Sequence, residues 1–378
     1  MNWKVPYFEL VLGLEEKQAV MEVLDSNWLT TGPKISEFET IFANQLGGAQ
    51  TQAVAVSNCT VALHLALLAL EITTGDEVIC PSLTFVATAN AIRYTGAMPV
   101  FADVCSEEEW NIDPADIEAK ITERTKAIIV VHYGGYPCRM EEVLEIAKKY
   151  NLKVIEDASH AALAEWQGKK LGTVGDIGCF SFFSNKNMTT GEGGMVVTAN
   201  ADLVANIKAM RSHGMTSTSY ERFKGHAFAY DVTVLGYNYR MDEIRAAIGI
   251  EQLKKLPGGN RQRRQLINYY RQIVASSLPE FTIPFNGWDG EYGYHIFPVL
   301  LPKGYMERNR LISKLSDHGI QTSIHYRPVH SFTAYSEFKA SLPKTEMIAP
   351  RILSLPLYPT LHKDQMDYVV AMIRSCLK

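Results

Sequence analysis

A single lysine lies among small, hydroxylated and glycine residues in the segment Phe180–Gly194, which reads FSFFSNKNMTTGEGG. This residue, Lys186, follows an apolar run and precedes the strand-like segment Met195–Thr198. A lysine that forms a Schiff base with an aldehyde must be neutral part of the time, and removal from water lowers its pKa in the required direction. Lys186 is therefore a candidate nucleophile of this kind. The alternative is a solvated loop lysine beside a glycine turn.

A carboxylate stands at the end of a predicted strand elsewhere in the chain. Asp157 directly follows the apolar segment Lys153–Glu156, and His160 comes three residues later. Ligands of open α/β sheets bind at the carboxyl ends of the strands. Asp157 could cap a helix. It could instead keep a pyridine nitrogen protonated, which is the partner that a pyridoxal phosphate site requires.

Two further strand ends carry groups suited to the same ligand. The apolar segment Ala53–Val56 leads into a helix that begins near Cys59 and Thr60. The N–H groups at the start of a helix bind anions such as phosphate. After the next predicted strand, Phe85 could stack on a flat ring. A plain helix cap and a core phenylalanine are the alternatives for these two places.

Short apolar segments alternate with helical periodicity through the first half of the chain. The predicted strands are 53–56, 77–80, 99–102, 127–131, 153–156 and 195–198. Helices are predicted over 12–24, 36–46, 60–70, 85–94, 140–150 and 203–210. This alternation indicates an α/β domain with a largely parallel sheet that helices cover on both faces.

The pattern changes after residue 200. The polar segment 216–231 predicts an exposed loop, and 241–256 predicts a helix that Pro257-Gly258-Gly259 ends. We place a domain boundary there, which gives a large domain of residues 1–256 and a smaller α+β domain of residues 257–378. Within the smaller domain, helices are predicted over 261–276, 308–318 and 363–377, and strands over 294–301 and 321–326.

The composition is that of an ordinary soluble globular protein. Of 378 residues, 47% are hydrophobic and 21% charged, and the net charge of −4 gives no reason to expect nucleic acid or an anionic membrane as a partner. No apolar run approaches 18 residues and no signal peptide is indicated. The six cysteines include no close pair, so we expect no metal site and buried thiols in a reducing cytoplasm.

Together these segments resemble the DegT/DnrJ/EryC1/StrS sugar aminotransferases, which are fold-type I pyridoxal phosphate enzymes. The resemblance covers the chain from about residue 5 to its end and is most specific around Lys186. The matching segments are 57–63, 81–85, 155–160, 175–182, 186–195, 236–241, 325–330 and 355–359. The resemblance implies a large cofactor-binding α/β domain with a mostly parallel sheet and a smaller C-terminal α+β domain.

The resemblance also implies a role for each matching residue of the cofactor site. Lys186 would form the Schiff base with pyridoxal phosphate, and Asp157 would pair with the pyridine nitrogen. Phe85 would stack on the ring, and His160 would pack near the phenolic oxygen. The remaining implied contacts are with the phosphate, and they involve Ser181, Thr60 and the backbone at Cys59.

One implied contact comes from a second copy of the chain. Asn238 would reach the phosphate of the neighbouring subunit, so that a homodimer would form each active site. Cys59 departs from the family pattern, which often has glycine at that position, and it allows the backbone less freedom. Candidates for contact with the sugar or its diphosphate, with structural roles as the alternative, are Tyr7, Arg240, His325, Arg327 and His330.

The implied reaction is transfer of an amino group from an amino acid, L-glutamate in most of the family, to a nucleotide-linked keto sugar. We expect a 4-keto-6-deoxyhexose, with a 3-keto sugar or a keto-cyclitol as the nearest alternatives. A dehydratase branch of the family carries histidine in place of the lysine, so Lys186 favours amine transfer. The amino sugar would enter an O-antigen, a surface glycan or an antibiotic. A non-catalytic regulatory protein of the same fold has no need of both Lys186 and Asp157.

Overall fold

The computed structural model describes residues 3–47, 50–217, 220, 225, 229–338 and 340–377 of the chain. Within these residues a seven-stranded sheet lies at the centre. In spatial order its strands are β1 (Gln52–Val56), β9 (Gly194–Thr198), β8 (Ile177–Ser181), β5 (Lys153–Asp157), β4 (Thr125–Val131), β2 (Glu77–Pro81) and β3 (Met98–Ala102). Strand β9 runs antiparallel to both of its neighbours, and the other neighbouring strands are parallel. The predicted α/β class with a mostly parallel sheet is confirmed.

Helices cover this sheet. In the first part of the chain they are α1 (Leu14–Asp25), α2 (Pro33–Gln45), α3 (Cys59–Ala69), α4 (Ala87–Tyr94), α5 (Pro114–Ala119), α6 (Met140–Tyr150) and α7 (Ala201–Arg211). Helix α3 is apolar almost all round and is buried on most sides. Its residue Leu63 lies in one core cluster with Val54 of β1 and Ile207 of α7. Helix α6 is amphipathic, with Val143 and Ile146 in the core. The short strands β6 (Glu165–Trp166) and β7 (Lys169–Lys170) pair with each other.

The C-terminal part is built on a second, smaller pairing. Strands β10 (Phe297–Leu300) and β11 (Ile352–Leu355) are antiparallel. The helices here are α8 (Glu243–Ser277), α9 (Tyr305–Asp317), α10 (Pro343–Ile348) and α11 (Lys363–Leu377). Helix α11 matches the predicted helix, whereas β11 was not predicted. The predicted strand 321–326 is wrong, because the backbone there pairs with β11 only through the Ser323–Ser354 bridge.

The prediction that Pro257-Gly258-Gly259 ends a helix is also wrong. Helix α8 runs for 35 residues through all three. A proline inside a helix costs about 3 kcal/mol and each glycine about 1 kcal/mol relative to alanine. Packing on both sides offsets this cost, since Leu253 and Leu256 lie in the core beside the sheet while Ile267 and Tyr270 lie in the C-terminal core.

One helix therefore carries the chain across the predicted boundary at residues 256 and 257. The division into domains 1–256 and 257–378 stays a prediction. The predicted loop 216–231 lies mostly outside the described residues. None of the described helices combines the length and the apolar character needed to cross a membrane.

Candidate active site

A cavity of about 740 Å³ opens at the edge of the central sheet where the parallel strands end. The last residue of β4 and the segments that follow β1, β2, β5 and β8 contribute to its wall. Of the predicted site residues, the cavity brings together Cys59, Thr60, Phe85, Asp157, His160, Ser181, Lys186 and His325. The convergence of strand ends explains how residues more than 100 positions apart meet at one place.

Lys186 lies on the wall of this cavity, on the turn that follows β8. Its N–H donates to the carbonyl of Phe183 at 2.9 Å, which closes the turn. Burial lowers the pKa of Lys186 from 10.5 to about 8, against the opposing effects of Asp157 and Cys59. An amine with this pKa is neutral in part of the molecules near neutral pH, as a nucleophile or general base must be.

Asp157 ends β5 and is buried, with 5% of its surface exposed. One carboxylate oxygen accepts from the hydroxyl of Thr88 at 2.9 Å, and the other accepts from the N–H of Ser159 at 3.2 Å. Turns follow Asp157, not a helix, so it does not serve as a helix N-cap. Its carboxylate instead lines the cavity, where it can hold a protonated ring nitrogen.

The start of α3 lines one part of the cavity with groups that can bind an anion. Asn58 caps the helix by accepting from the N–H of Val61 at 3.0 Å, and Thr60 lies in the first turn. Strand β9 passes close by, since a Cβ added at Gly194 would lie 2.5 Å from the carbonyl carbon of Asn58. The hydroxyl of Ser181 is on the same wall. Free helix N–H groups with two hydroxyls beside them suit a phosphate.

His160 and Tyr326 form a hydrogen-bonded pair at the other end. The N–H of Gly134 donates to Nδ1 of His160 at 3.2 Å, and Nε2 lies 2.9 Å from the Tyr326 hydroxyl. Burial, with a contribution from Lys186, holds the pKa of His160 well below its usual value. The neutral ring thus carries its proton on Nε2 and donates it to Tyr326. The hydroxyl proton of Tyr326 is then free to point into the cavity.

Phe85 stands at the mouth of the cavity. Its side chain is 59% exposed, and its ring centroid lies 6.2 Å from that of Tyr326. An exposed aromatic face on the wall of a cavity is the arrangement that the predicted ring-stacking role needs. That exposure also excludes the alternative of a core phenylalanine.

His325 reaches the cavity, and Tyr7 supports it from behind. Nδ1 of His325 lies 2.9 Å from the hydroxyl of Ser354 and 3.4 Å from that of Tyr7. Burial lowers the pKa of His325 to about 3 and raises that of Tyr7 above its usual value. Both groups are therefore neutral hydrogen-bonding partners across the physiological pH range.

Besides Tyr7, which lies behind His325, four of the predicted residues do not line this cavity. Arg327 is exposed and donates to Ser331, while His330 lies 2.6 Å from the hydroxyl of Ser82. Arg240 is half-buried and contacts the hydroxyl of Ser212. Asn238 is exposed on the segment that pairs with Ser212. The predicted ligand contacts of these four residues stay predictions.

The cavity also contains residues that the sequence analysis missed. Tyr326, Asn185 and Glu192 line it, and Thr88 orients Asp157 from α4. Tyr326 lies inside the matching segment 325–330, so its place in the motif was the available signal. No local pattern marks Thr88, because only the packing of α4 against the sheet brings its hydroxyl to Asp157.

These residues fit pyridoxal phosphate. The cavity offers a partly neutral amine, a buried carboxylate, an exposed ring face and an anion site, each on a different strand end. Gly194 leaves the turn between β1 and α3 clear, whereas a side chain there would collide with it. Lys186, Asp157, Phe85, Thr60 and Ser181 would hold the group.

The chain is similar to known proteins along nearly its whole length. The model of the DegT/DnrJ/EryC1/StrS aminotransferase family matches residues 11–374. The spore coat polysaccharide biosynthesis protein SpsC of Bacillus subtilis is 39% identical, over 100% of this chain and 98% of SpsC. An uncharacterized protein of Methanocaldococcus jannaschii is 40% identical over 98% of this chain and 97% of its own length.

The fold is also similar to those of solved aminotransferase structures. PseC of Helicobacter pylori, an aminotransferase in the biosynthesis of pseudoaminic acid, superposes with a TM-score of 0.91 at 32% identity, covering 99% of both chains. DesV of S. venezuelae superposes with a TM-score of 0.89 at 34% identity, covering 99% of this chain and 98% of DesV. This chain belongs to the DegT/DnrJ/EryC1/StrS aminotransferase family and is a pyridoxal phosphate-dependent sugar aminotransferase.

Proposed function

We propose that this enzyme transfers the amino group of L-glutamate to C-4 of a nucleotide-linked 4-keto-6-deoxyhexose. The observation that carries the amine transfer is the presence of Lys186 and Asp157 on the wall of one cavity, with the pKa of Lys186 lowered to about 8. The choice of sugar and donor rests on the family resemblance. PseC and SpsC, which act in the biosynthesis of pseudoaminic acid and of a spore coat polysaccharide, support a product for a surface glycan.

Lys186 is the proposed proton carrier. When bound, pyridoxal phosphate accepts the electron pair of the carbon–hydrogen bond that breaks at the amino donor. The neutral amine of Lys186 takes that proton from the α-carbon of the donor and returns a proton to the carbon on the other side of the transferred nitrogen. The same steps in reverse on the keto sugar complete the exchange of amino and keto groups between donor and acceptor. Glutamate leaves as 2-oxoglutarate, and the keto sugar leaves as the amino sugar.

The other residues hold the reacting groups in place. Asp157, fixed by Thr88, keeps a positive charge on the ring nitrogen. Tyr326 presents its hydroxyl proton to the cavity because His160 occupies its acceptor side. Tyr326 and His325 are the neutral polar groups that can bind the hydroxyls of a sugar.

We propose that the active enzyme is a cytoplasmic homodimer in which Asn238 reaches the phosphate bound by the partner. Asn238 is exposed outside the cavity of its own chain, which supports a contact across an interface. Exposed apolar side chains lie close to it in sequence, namely Val232 and Leu235. The six cysteines are free thiols, in keeping with a reducing compartment.

A substrate panel tests this proposal. Glutamate-dependent amination would be measured on dTDP-, UDP- and GDP-linked 4-keto-6-deoxyhexoses, on the corresponding 3-keto sugars and on a keto-inositol. We expect activity on a 4-keto compound that is lost in Lys186→Ala. Activity on the 3-keto sugars or the cyclitol alone would overturn the choice of substrate. A purified protein that stays colourless after addition of pyridoxal phosphate would support the non-catalytic alternative.

A further inference from the structure

The residue that follows Lys186 joins three parts of the chain. The amide nitrogen of Asn187 donates to Oδ1 of Asn260 at 2.9 Å and to the carbonyl of Gly293. Its amide oxygen lies 2.9 Å from Nδ1 of His295. The two acceptors fix the orientation of the amide, which places its oxygen toward His295. Because an amide oxygen only accepts, His295 carries its proton on Nδ1. Asn187 thus uses both of its donors and its acceptor.

The first partner fixes Asn187 to α8. Asn260 comes directly after Pro257-Gly258-Gly259, and its own amide donates to the carbonyl of Ala162 at 3.0 Å. On the other side of the proline, the side-chain oxygen of Gln252 accepts from the N–H of Thr189 at 3.4 Å. Helix α8 therefore contacts the turn of Lys186 at two points, one on each side of its proline.

The other two partners fix Asn187 to the backbone that carries His160. The backbone N–H of His295 donates to the carbonyl of Gly134 at 2.9 Å, and the His295 and His160 ring centroids are 4.4 Å apart. A Cβ added at Gly293 would lie 2.2 Å from the carbonyl oxygen of His160, so only glycine permits this approach. The segment Gly293–His295 is thus packed against His160, whose ring donates to Tyr326.

We propose that Asn187 is a positioning residue for Lys186, because its three hydrogen bonds hold the lysine's turn against α8 and segment 293–295 and exclude water from the space behind the amine. The inference rests on the proposed role of Lys186. Without this side chain, three groups lose their partner: the buried Gly293 carbonyl, the buried Nδ1–H of His295 and the half-buried Oδ1 of Asn260. A polar group that is left unpaired away from bulk water is unfavourable unless water reaches it. Water that enters to pair with them would also hydrate the amine.

The expected consequence is a change in the titration of Lys186. Burial lowers its pKa to about 8, whereas Asp157 and Cys59 act to raise it. Three imidazoles are also neighbours of the amine, those of His160, His295 and His325. The positive charge of Lys186 helps to lower the pKa of each. Asn187→Ala leaves all these ionisable groups in place and adds water. The pKa of Lys186 should therefore rise toward its usual value by about one unit.

The test uses the apoprotein and needs no turnover. The rate at which pyridoxal phosphate attaches to Lys186 is followed by absorbance as a function of pH, and its midpoint reports the pKa of the amine. We expect Asn187→Ala to move the midpoint upward by about one unit. Asn260→Ala, which removes one of the three bonds, should move it less and in the same direction.

Asn200→Ala is the matched control. Asn200 caps α7 by accepting from the N–H groups of Asp202 and Leu203, and none of these three residues lines the cavity. Loss of this cap lowers the melting temperature through a purely structural effect. We expect the midpoint of Asn200→Ala to equal that of the wild type even where its melting temperature falls as far as that of Asn187→Ala.

The outcomes separate this inference from the proposed function. Borohydride reduction and peptide mapping identify the lysine that carries the cofactor, and attachment elsewhere than Lys186 overturns the proposed function. Attachment at Lys186 with a wild-type midpoint in Asn187→Ala overturns only the positioning role. If Asn187→Ala does not fold, an unchanged midpoint in Asn260→Ala overturns it.

Discussion

At the scale of single residues, the proposed role of Lys186 predicts that the pKa of its amine sets the pH range in which the enzyme can react. Its amine is charged below a pKa of about 8 and neutral above it. Only the neutral form attacks a carbonyl or accepts a proton. Attachment of pyridoxal phosphate to the wild-type apoprotein should therefore accelerate as the pH rises from 6 to 8 and level off above 9, as stopped-flow absorbance would measure. A rate that keeps rising to pH 10.5 would mean that the amine is fully hydrated.

The proposed partner of Asp157 is the cofactor ring, so a change at Asp157 should affect turnover more than binding. Asp157→Asn keeps the size of the side chain and can keep the bond from Thr88, but it removes the negative charge. Loss of one preorganised electrostatic partner costs about 10²–10³ in kcat. We expect the variant to bind pyridoxal phosphate and to lose at least about a hundredfold in kcat. Thr88→Val, which removes only the supporting hydroxyl, should lose less, and full activity of Asp157→Asn would contradict the assigned role.

The sequence was most informative at this scale, and for a physical reason. Asp157 ends β5, Ser181 ends β8 and Lys186 follows β8, so the three residues meet at one edge of the sheet. The predicted strand before Asp157 and the apolar run before Lys186 indicated this for two of them, whereas Ser181 was implied by the family resemblance. Thr88 and His295 reach the same region from a helix and from an irregular segment. Their positions depend on packing between distant parts of the chain, which no local pattern encodes.

At the scale of elements, the approach of β9 to the turn before α3 shapes the phosphate end of the cavity. Gly194→Ala would place a Cβ 2.5 Å from the carbonyl carbon of Asn58, in backbone that cannot rotate away. Overpacking of this kind costs about 1–3 kcal/mol. We expect a lower melting temperature together with weaker binding of pyridoxal phosphate, measured by titration of the apoprotein. Normal affinity would show that the turn can shift without harm to the anion site.

In helix α8, by contrast, a glycine has room for a side chain. A Cβ added at Gly258 meets nothing closer than 4.0 Å, and the residue lies inside a helix. Gly258→Ala should therefore stabilise the protein by about 1 kcal/mol, because alanine loses less backbone entropy in a helix than glycine does. Urea unfolding would measure the gain. A loss of stability would indicate that α8 needs to bend at this point.

The same helix shows where local signals fail. Pro257 and the two glycines after it have the composition of a helix end, yet the helix continues because the cores on both sides hold its buried residues. Similarly, segment 321–326 has the composition of a strand but only one ladder partner, Ser354. In both cases tertiary contacts override intrinsic preference.

At the scale of the whole molecule, the proposed contact of Asn238 makes the active site a property of two chains. Lys186→Ala and Asn238→Ala should each inactivate their homodimers. In a mixed dimer of these two variants, one site carries both changes and the other carries neither. Random exchange makes half of the dimers mixed, so activity should recover to about a quarter of the wild-type value. Mixed dimers purified through two different tags would measure this recovery without interference from the homodimers.

The matched control places both substitutions in one chain. In a mixed dimer of the wild type and the double variant Lys186→Ala/Asn238→Ala, each site receives one altered residue, so purified mixed dimers should be inactive. If Asn238 instead serves the cavity of its own chain, the results are reversed. The first mixture then stays inactive, and the second keeps one working site per dimer. Because both mixtures contain the same two substitutions in equal number, a difference in their activity can come only from the path that Asn238 takes across the interface.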